Sequence, residues 1–98
     1  MYQAINTTEL EKLMKEENIH VIDVREQDEY EAGHIPGVTH LPLSGFPDNI
    51  PELENNQKHY LICASGGRSG MAAEHLSKRG YEAVNVEGGM GTWEGNIE

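Results

Sequence analysis

Short runs of apolar and β-branched residues recur along the chain, each bounded by polar or turn-forming residues. Runs of this length and composition are typical of strands buried inside a parallel sheet. The pattern predicts four strands, at residues 19–24, 38–41, 60–63 and 83–86. Residues 2–5 predict a fifth strand, which we expect at an edge of the sheet.

Helical patterns alternate with these runs, and the first of them follows the predicted strand at residues 2–5. Thr8 and Glu11 have the spacing of a capping box, which marks a helix N-terminus. The helix that they predict places Leu10, Leu13 and Met14 on one face.

Three further segments have helical character. We expect a short helix at residues 26–31, ended by Gly33, and a weak helical turn at residues 48–53. The strongest helical pattern covers residues 69–79, with Gly80 as a natural C-cap. The residues predicted to share one side of that helix are Met71, Ala72, His75, Leu76 and Arg79.

Strands that alternate with helices indicate an α/β fold, with a parallel sheet covered by helices on both faces and right-handed crossovers. In such folds ligands bind beyond the C-terminal ends of the strands. A chain of 98 residues has room for one domain, which we expect to span residues 1–98.

The formal net charge of -10 argues against nucleic acid and anionic membranes as partners. Solubility is its simplest interpretation, and a basic partner protein is the functional alternative. The chain has no apolar stretch long enough to span a membrane and no signal-peptide pattern at its N-terminus. We therefore expect a cytoplasmic protein.

The chain contains a single cysteine, Cys63, so no intramolecular disulfide can form. A lone cysteine is ordinarily an inert small residue of the core, so only its surroundings can indicate whether Cys63 is reactive. The histidines show no metal-ligand spacing with Cys63, and we expect neither a metal nor another cofactor.

The surroundings of Cys63 favour a reactive thiolate. The cysteine ends a predicted strand and is followed by a loop of small residues and one arginine, just before a helix N-terminus. Inward-facing N–H groups, the helix dipole and the Arg68 guanidinium should all lower the pKa of the thiol. We expect the sulfur to lie exposed in this cradle. The substrate-binding residues predicted on this basis are Ala64, Ser65, Gly66, Gly67, Arg68 and Ser69.

Three segments, which together extend over nearly the whole chain, resemble the rhodanese family. Residues 22–26 and 29–38, which include Gly33-His34-Ile35-Pro36-Gly37, are similar to its N-terminal signature. Residues 63–69 are similar to its active-site loop, and residues 86–93 to its C-terminal signature. The resemblance implies a central five-stranded parallel sheet flanked by helices. It also implies that Cys63 accepts sulfane sulfur as a persulfide and passes it to a thiol or to cyanide.

The length of the loop bears on the type of reaction. Cys63 to Arg68 spans six residues, the length that the resemblance associates with sulfurtransferases, whereas related phosphatases use a longer loop. A phosphatase or arsenate-type enzyme is therefore disfavoured. A binding or sensing module without turnover is the other alternative, and the presence of Cys63 disfavours it.

One position departs from the family pattern. Many members have a basic or polar residue directly after the cysteine, where this chain has Ala64. On an acidic protein, this favours a protein persulfide or a small persulfide over free thiosulfate as the sulfur donor.

Several charged residues and one histidine are expected to have supporting roles. Asp23 and Arg25 flank the end of the strand predicted at residues 19–24, where we expect them to brace loops near the site. Glu29 can pair with Arg25 or with Arg68, and the sequence leaves this choice open. His34 precedes a rigid Ile-Pro-Gly turn, which favours a structural role over that of a general base.

Overall fold

The computed structural model describes residues 2–98, which form a five-stranded parallel sheet with helices on both faces. In chain order the strands are β1 (Gln3–Asn6), β2 (His20–Asp23), β3 (Thr39–His40), β4 (Lys58–Ile62) and β5 (Glu82–Glu87). The helices are α1 (Thr7–Glu16), α2 (Gln27–Glu31) and α3 (Gly67–Lys78), and 3₁₀ turns cover Leu43–Gly45 and Gly89–Gly91. The α/β architecture predicted from the sequence is confirmed.

The strands lie in the order β1-β5-β4-β2-β3, and every neighbouring pair is parallel. All five predicted strands are present, and β1 lies at an edge as expected. Since parallel strands end on the same side of the sheet, the loops after β2, β4 and β5 lie near one another. This brings together segments that are far apart in the sequence.

The two faces of the sheet carry two separate cores, because alternate residues of each strand point to opposite faces. One core lies beneath α3 and includes Ile22, Leu61, Cys63, Ala72 and Leu76. The other lies beneath α1 and includes Leu10, Val21, Ile62, Val84 and Val86. Within residues 2–98, no helix is both long enough and apolar enough to cross a bilayer.

The capping prediction for α1 is wrong by two residues. The N-cap is Asn6, whose side chain accepts a hydrogen bond from the Glu9 amide at 2.9 Å, while the Glu9 carboxylate accepts one from the Asn6 amide at 3.2 Å. Asn6 is the last residue of β1 and keeps an extended backbone, so the helix begins at Thr7 and Thr8 already lies inside it. The predicted face is confirmed, because Leu10 is buried and Leu13 and Met14 pack on the same core.

The helical turn predicted at residues 48–53 does not form. A 3₁₀ turn occurs earlier, at Leu43–Gly45, and the chain then runs irregularly to β4. Pro51 disfavours the helical backbone for Ile50, the residue before it, and also lacks the N–H that a helix would use. Ile50 is instead 8% exposed and anchors this segment to the core beneath α3.

Helix α3 begins two residues earlier than predicted, and its buried face is different. Met71 is 55% exposed and His75 is also exposed. The buried residues are Ser69, Gly70, Ala72, Ala73 and Leu76. Because most of these side chains are small, the helix can approach the sheet closely.

Candidate active site

Cys63 lies between the end of β4 and the start of α3, as the sequence predicts. The loop turns at Gly66, whose φ of 108° is a left-handed conformation that favours glycine. Gly66 is the N-cap of α3, and no side-chain cap bonds to the first turn of the helix. The free amides of that turn therefore need an acceptor from elsewhere.

The Cys63 sulfur is the acceptor for these amides. The Gly66 N–H lies 3.1 Å from Sγ and the Ser69 N–H lies 3.3 Å from it. The Ser69 hydroxyl is also within reach, with 3.3 Å between Oγ and Sγ. The sulfur thus occupies the N-terminus of a 12-residue helix, where the backbone dipole favours negative charge.

The balance of forces on the thiol favours ionisation. Burial raises the pKa of Cys63, but hydrogen bonding with the Ser69 side chain and with the amides of Ser69, Gly66 and Ser65 outweighs burial, and the pKa is lowered. The expected inward-facing amides are therefore present. The expected exposure is wrong: Cys63 is 1% exposed, because the loop, α3 and the core enclose it.

Arg68 points to a carboxylate. Its guanidinium forms a two-pronged ion pair with Glu29, at 2.6 Å from Nη1 to Oε1 and 2.8 Å from Nη2 to Oε2. This settles which of the two arginines Glu29 binds, and it ties α2 to the first turn of α3. Hydrogen bonding to Arg68 lowers the pKa of Glu29 to about 2, and the same bond raises the pKa of Arg68. A carboxylate therefore offsets the positive charge that the sequence placed in the loop.

Asp23 and Arg25 form a buried brace beside the site. The Arg25 side chain donates to Asp23 at 2.8 to 3.1 Å and to the Gly33 carbonyl at 2.8 Å. The Asp23 and Arg25 side chains are 1% and 8% exposed. Since Nε and Nη2 of Arg25 both bind within the protein, the pair fixes the loop after β2 against the segment that follows α2.

His34 lies in that same segment. Its Nδ1 lies 2.9 Å from the Tyr30 carbonyl oxygen, and its ring stacks on the Tyr30 ring at a centroid distance of 3.9 Å. The backbone of His34 also exchanges two hydrogen bonds with Glu98. These contacts fit a structural role for His34.

The turn after β5 supports the active loop from below, which the sequence interpretation missed. The Met90 N–H donates to the Cys63 carbonyl at 2.8 Å, and the Gly91 N–H donates to the Ala64 carbonyl at 2.9 Å. At Gly89, with φ at 56°, a Cβ atom would collide with the backbone of Cys63 and Ala64. The glycines of this segment therefore serve close backbone approach.

Asn85 is the other residue that sequence reasoning missed. It lies on β5 beneath the loop, 7% exposed. Its Oδ1 lies 2.5 Å from Ser69 Oγ, and its Nδ2 donates to the Gly66 carbonyl at 3.1 Å. The signal was available, because Asn85 is the one polar residue inside the apolar run at residues 83–86.

Of the predicted site residues, Ser65, Gly66 and Ser69 direct polar groups at the sulfur. Ala64 and Gly67 form the frame of the loop, since Ala64 is held by Gly91 and Gly67 opens α3. The polar atoms of Arg68, Asp23 and Arg25 bind other protein groups.

Curated proteins of known sequence include close relatives. The chain is 45% identical over 89 residues to "Putative sulfur carrier protein YrkF" of Bacillus subtilis, covering 90% of this chain and 48% of that protein. It therefore spans about half the length of that relative. It is 39% identical to "Putative sulfurtransferase YtwF" of B. subtilis, over 98% of this chain and 94% of that protein. It is 32% identical to "Thiosulfate sulfurtransferase GlpE" of Coxiella burnetii, over 95% of this chain and 88% of that protein.

Solved structures have the same architecture. A rhodanese-like domain protein from Staphylococcus aureus superposes with a TM-score of 0.92 at 37% identity, covering 98% of this chain and 96% of that one. A rhodanese-related protein from Thermoplasma volcanium superposes with a TM-score of 0.89 at 35% identity, covering 99% of this chain and 98% of that one. The family model described as "Rhodanese-like domain" matches residues 6–96. The chain belongs to the rhodanese-like domain family.

Proposed function

We propose that this protein is a sulfurtransferase that carries sulfur as a persulfide on Cys63. The observation that carries the proposal is the pair of backbone hydrogen bonds donated to Sγ by the amides of Gly66 and Ser69, with the Ser69 hydroxyl in contact beside them. These groups stabilise a sulfur anion, which is the nucleophile in sulfur transfer. Relatives whose names include sulfurtransferase and sulfur carrier support the same assignment.

The proposed reaction has two displacement steps. The Cys63 thiolate attacks the outer sulfur of a donor, a new S–S bond forms, and the donor's S–S bond breaks. The electron pair of the broken bond leaves with the rest of the donor molecule, which departs as a thiolate if the donor is a persulfide and as sulfite if it is thiosulfate. An acceptor thiolate or cyanide then attacks the outer sulfur of the Cys63 persulfide, and the Cys63 thiolate is released with the bonding pair. No net oxidation occurs.

The local charges favour a persulfide over free thiosulfate as the donor. Glu29 offsets the Arg68 charge, the residue after the cysteine is Ala64, and the chain carries a net charge of -10. A small dianion approaches such a site against the field, whereas a thiol persulfide carries less charge. A basic partner protein that delivers its own persulfide would be attracted by the same field.

Burial of Cys63 adds a geometric condition. Since the residue is 1% exposed, a donor must present its sulfane sulfur as a protruding terminal atom. Both a persulfide and thiosulfate end in such an atom. A bulky substrate that reacts at an internal atom is excluded by the enclosed loop.

The intact mass of the protein tests the proposal. Protein purified without reductant and incubated with a small-molecule persulfide should gain the mass of one sulfur atom, and a thiol or cyanide should remove it. Because Cys63 is the one cysteine in the chain, Cys63→Ser should abolish the gain. Absence of any adduct on the folded parent protein, with all donors tried, would refute the assignment.

Two alternatives give different results in the same experiment. A binding or sensing module that shares the fold would accept sulfur without passing it to any acceptor. A phosphatase or arsenate-type enzyme would turn over an aryl phosphate or arsenate without a sulfur adduct. The six-residue loop from Cys63 to Arg68 disfavours the phosphatase or arsenate-type enzyme, and the presence of Cys63 disfavours a module without turnover.

A further inference from the structure

Asn85 controls where the hydrogen of the Ser69 hydroxyl points. Its Nδ2 lies 3.1 Å from the Gly66 carbonyl oxygen, which can only accept a hydrogen bond. That contact fixes the orientation of the amide and turns Oδ1 toward Ser69, 2.5 Å from Oγ. Because an amide oxygen cannot donate, Ser69 must donate to Asn85.

Ser69 has one hydroxyl hydrogen, so this bond determines what it offers to the sulfur. With the hydrogen directed at Asn85, Ser69 Oγ faces Cys63 Sγ, 3.3 Å away, with a lone pair. A lone pair accepts a hydrogen bond from a thiol and repels a thiolate. The resting arrangement is therefore a chain in which Cys63 S–H donates to Ser69 and Ser69 O–H donates to Asn85.

We propose that Asn85 is a positioning residue that holds the Ser69 hydroxyl hydrogen away from the resting Cys63 thiol and releases it to the sulfur anion. When the S–H proton leaves to solvent, the lone pair of Ser69 faces a negative charge. Rotation of the hydroxyl then replaces a repulsive contact with a charge-assisted hydrogen bond, at the cost of the bond to Asn85. Asn85 thus opposes the charged form of the sulfur, whereas the loop amides favour it.

The surroundings of Asn85 support a function in the polar chain. It lies on the fourth of six residues in β5 and is 7% exposed, while Ser69 is fully buried. Among residues 2–98, the side-chain hydrogen bonds of Asn85 are directed at the cysteine loop and at the first turn of α3.

The ionisation midpoint of Cys63 tests this inference in a double-mutant cycle. The ultraviolet absorbance of the thiolate reports on Cys63 alone, because the chain has no other cysteine. The four proteins are the parent, Asn85→Ala, Ser69→Ala and the double variant. In the parent, which has Ser69, Asn85→Ala frees the Ser69 hydroxyl to donate to the thiolate. In the Ser69→Ala background, the same change only loosens the loop.

We expect Asn85→Ala to shift the midpoint downward by about one pH unit more in the presence of Ser69 than in its absence, as one charge-assisted hydrogen bond implies. Loosening of the loop cancels between the two backgrounds. An equal shift in both backgrounds would show that Asn85 only anchors Gly66, and would overturn the inference.

A second measurement does not depend on whether the Asn85 variants fold. The S–H stretching band in the Raman spectrum of the parent should have the low frequency of a hydrogen-bonded thiol and move to higher frequency in Ser69→Ala. A band that is already at the free-thiol frequency, and that Ser69→Ala leaves in place, contradicts the proposed chain.

The inference rests on the proposed function only for the use of Cys63 as a nucleophile. Neither measurement uses a sulfur donor, so failure of sulfur transfer would leave the hydroxyl result intact. Conversely, a protein that loads sulfur but shows equal midpoint shifts would keep its proposed function and lose this role of Asn85.

Discussion

The Arg68 guanidinium and the Glu29 carboxylate meet in a two-pronged ion pair, with 2.6 Å between Nη1 and Oε1 and 2.8 Å between Nη2 and Oε2. The two residues are 39 positions apart, and the pair joins the helix that follows Cys63 to α2. Both side chains are about one-third exposed, at 32% and 33%. The pair therefore has two effects: it steadies the loop and it cancels a positive charge close to the sulfur.

Glu29→Gln should favour anionic donors. The substitution leaves Arg68 with its charge uncompensated, so we expect kcat/KM for thiosulfate to rise about fivefold, the equivalent of ~1 kcal/mol for a partly exposed ion pair. The value for a neutral or basic persulfide donor should change much less. Steady-state assays with both donors measure the ratio.

Asp28→Asn is the matched control for this change, because it removes one negative charge from an exposed position on the same helix. It should leave the donor ratio within error of the parent. If Glu29→Gln lowered turnover with both donors alike, the tether rather than the charge would be the main contribution of Glu29.

Gly89→Ala should disrupt the support beneath the cysteine. The added Cβ would collide with the Cys63 carbonyl and would lie 2.7 Å from the Ala64 carbonyl oxygen, at a φ of 56° that alanine disfavours. We expect a loss of about 3 kcal/mol or more in the free energy of unfolding, since steric overlap adds to backbone strain. Sulfur loading per folded molecule should fall as well.

Gly80→Ala separates strain from collision. Gly80 also has a positive φ, 90°, but a Cβ atom there meets no heavy atom within 4 Å. The expected loss is about 1 kcal/mol, from the left-handed backbone alone, with sulfur loading unchanged. Chemical denaturation and intact mass of both variants measure the difference. Equal destabilisation by the two substitutions would contradict the proposed close contact.

The sequence predicted the features that depend on local patterns. The strands follow from short apolar runs, and the position of Cys63 between a strand and a helix N-terminus follows from the pattern of residues 60–69. The α1 cap was misplaced because Asn6 and Glu9 have the same spacing as Thr8 and Glu11. Only the point where β1 ends decides between the two pairs.

The remaining features depend on tertiary contacts. Periodicity predicts that Met71 shares one side of α3 with Ala72, yet Met71 is exposed and the adjacent small residues Ala72 and Ala73 are the buried ones. The burial of Cys63 depends on how closely the loop and α3 pack around it, which no local pattern states. Asn85 was detectable as a polar residue in an apolar run, but its partners on another element were not.

Asp23→Asn should reduce stability and spare the chemistry. Asp23 is 1% exposed and its carboxylate is bound by the Arg25 side chain, so the substitution leaves a buried guanidinium with a weaker partner. Breaking such a pair costs about 3 kcal/mol or more. Thermal unfolding should show the loss, whereas sulfur loading per folded molecule should remain close to that of the parent.

Asp48→Asn, at an exposed position, controls for the change in net charge and should alter stability by less than about 0.5 kcal/mol. Loss of sulfur loading in an Asp23→Asn protein of parental stability would assign Asp23 a direct role in the reaction instead.

A pair of histidines at the opposite end of the sheet should make the fold sensitive to mild acid. His59 Nε2 lies 2.8 Å from the Glu54 carbonyl oxygen, so this nitrogen carries a hydrogen and Nδ1 of the neutral ring has the lone pair. His20 Nδ1, 2.8 Å away, must then donate to it, and His20 Nε2 accepts from the Thr39 hydroxyl at 3.0 Å.

Protonation of His20 breaks this network. Burial and the neighbouring His59 lower the pKa of His20 from 6.5. In the pH range just below 6.5 the unfolded chain therefore binds more protons than the folded one, and stability must fall as the pH falls. We expect the free energy of unfolding to fall by about 1 kcal/mol on acidification through this range, comparable to one hydrogen bond.

His20→Gln should flatten this dependence of stability on pH, whereas His75→Gln, at an exposed position on α3, should preserve it. Urea unfolding of the three proteins on either side of the transition gives the slopes, and an equally steep slope in His20→Gln would locate the acid sensitivity elsewhere.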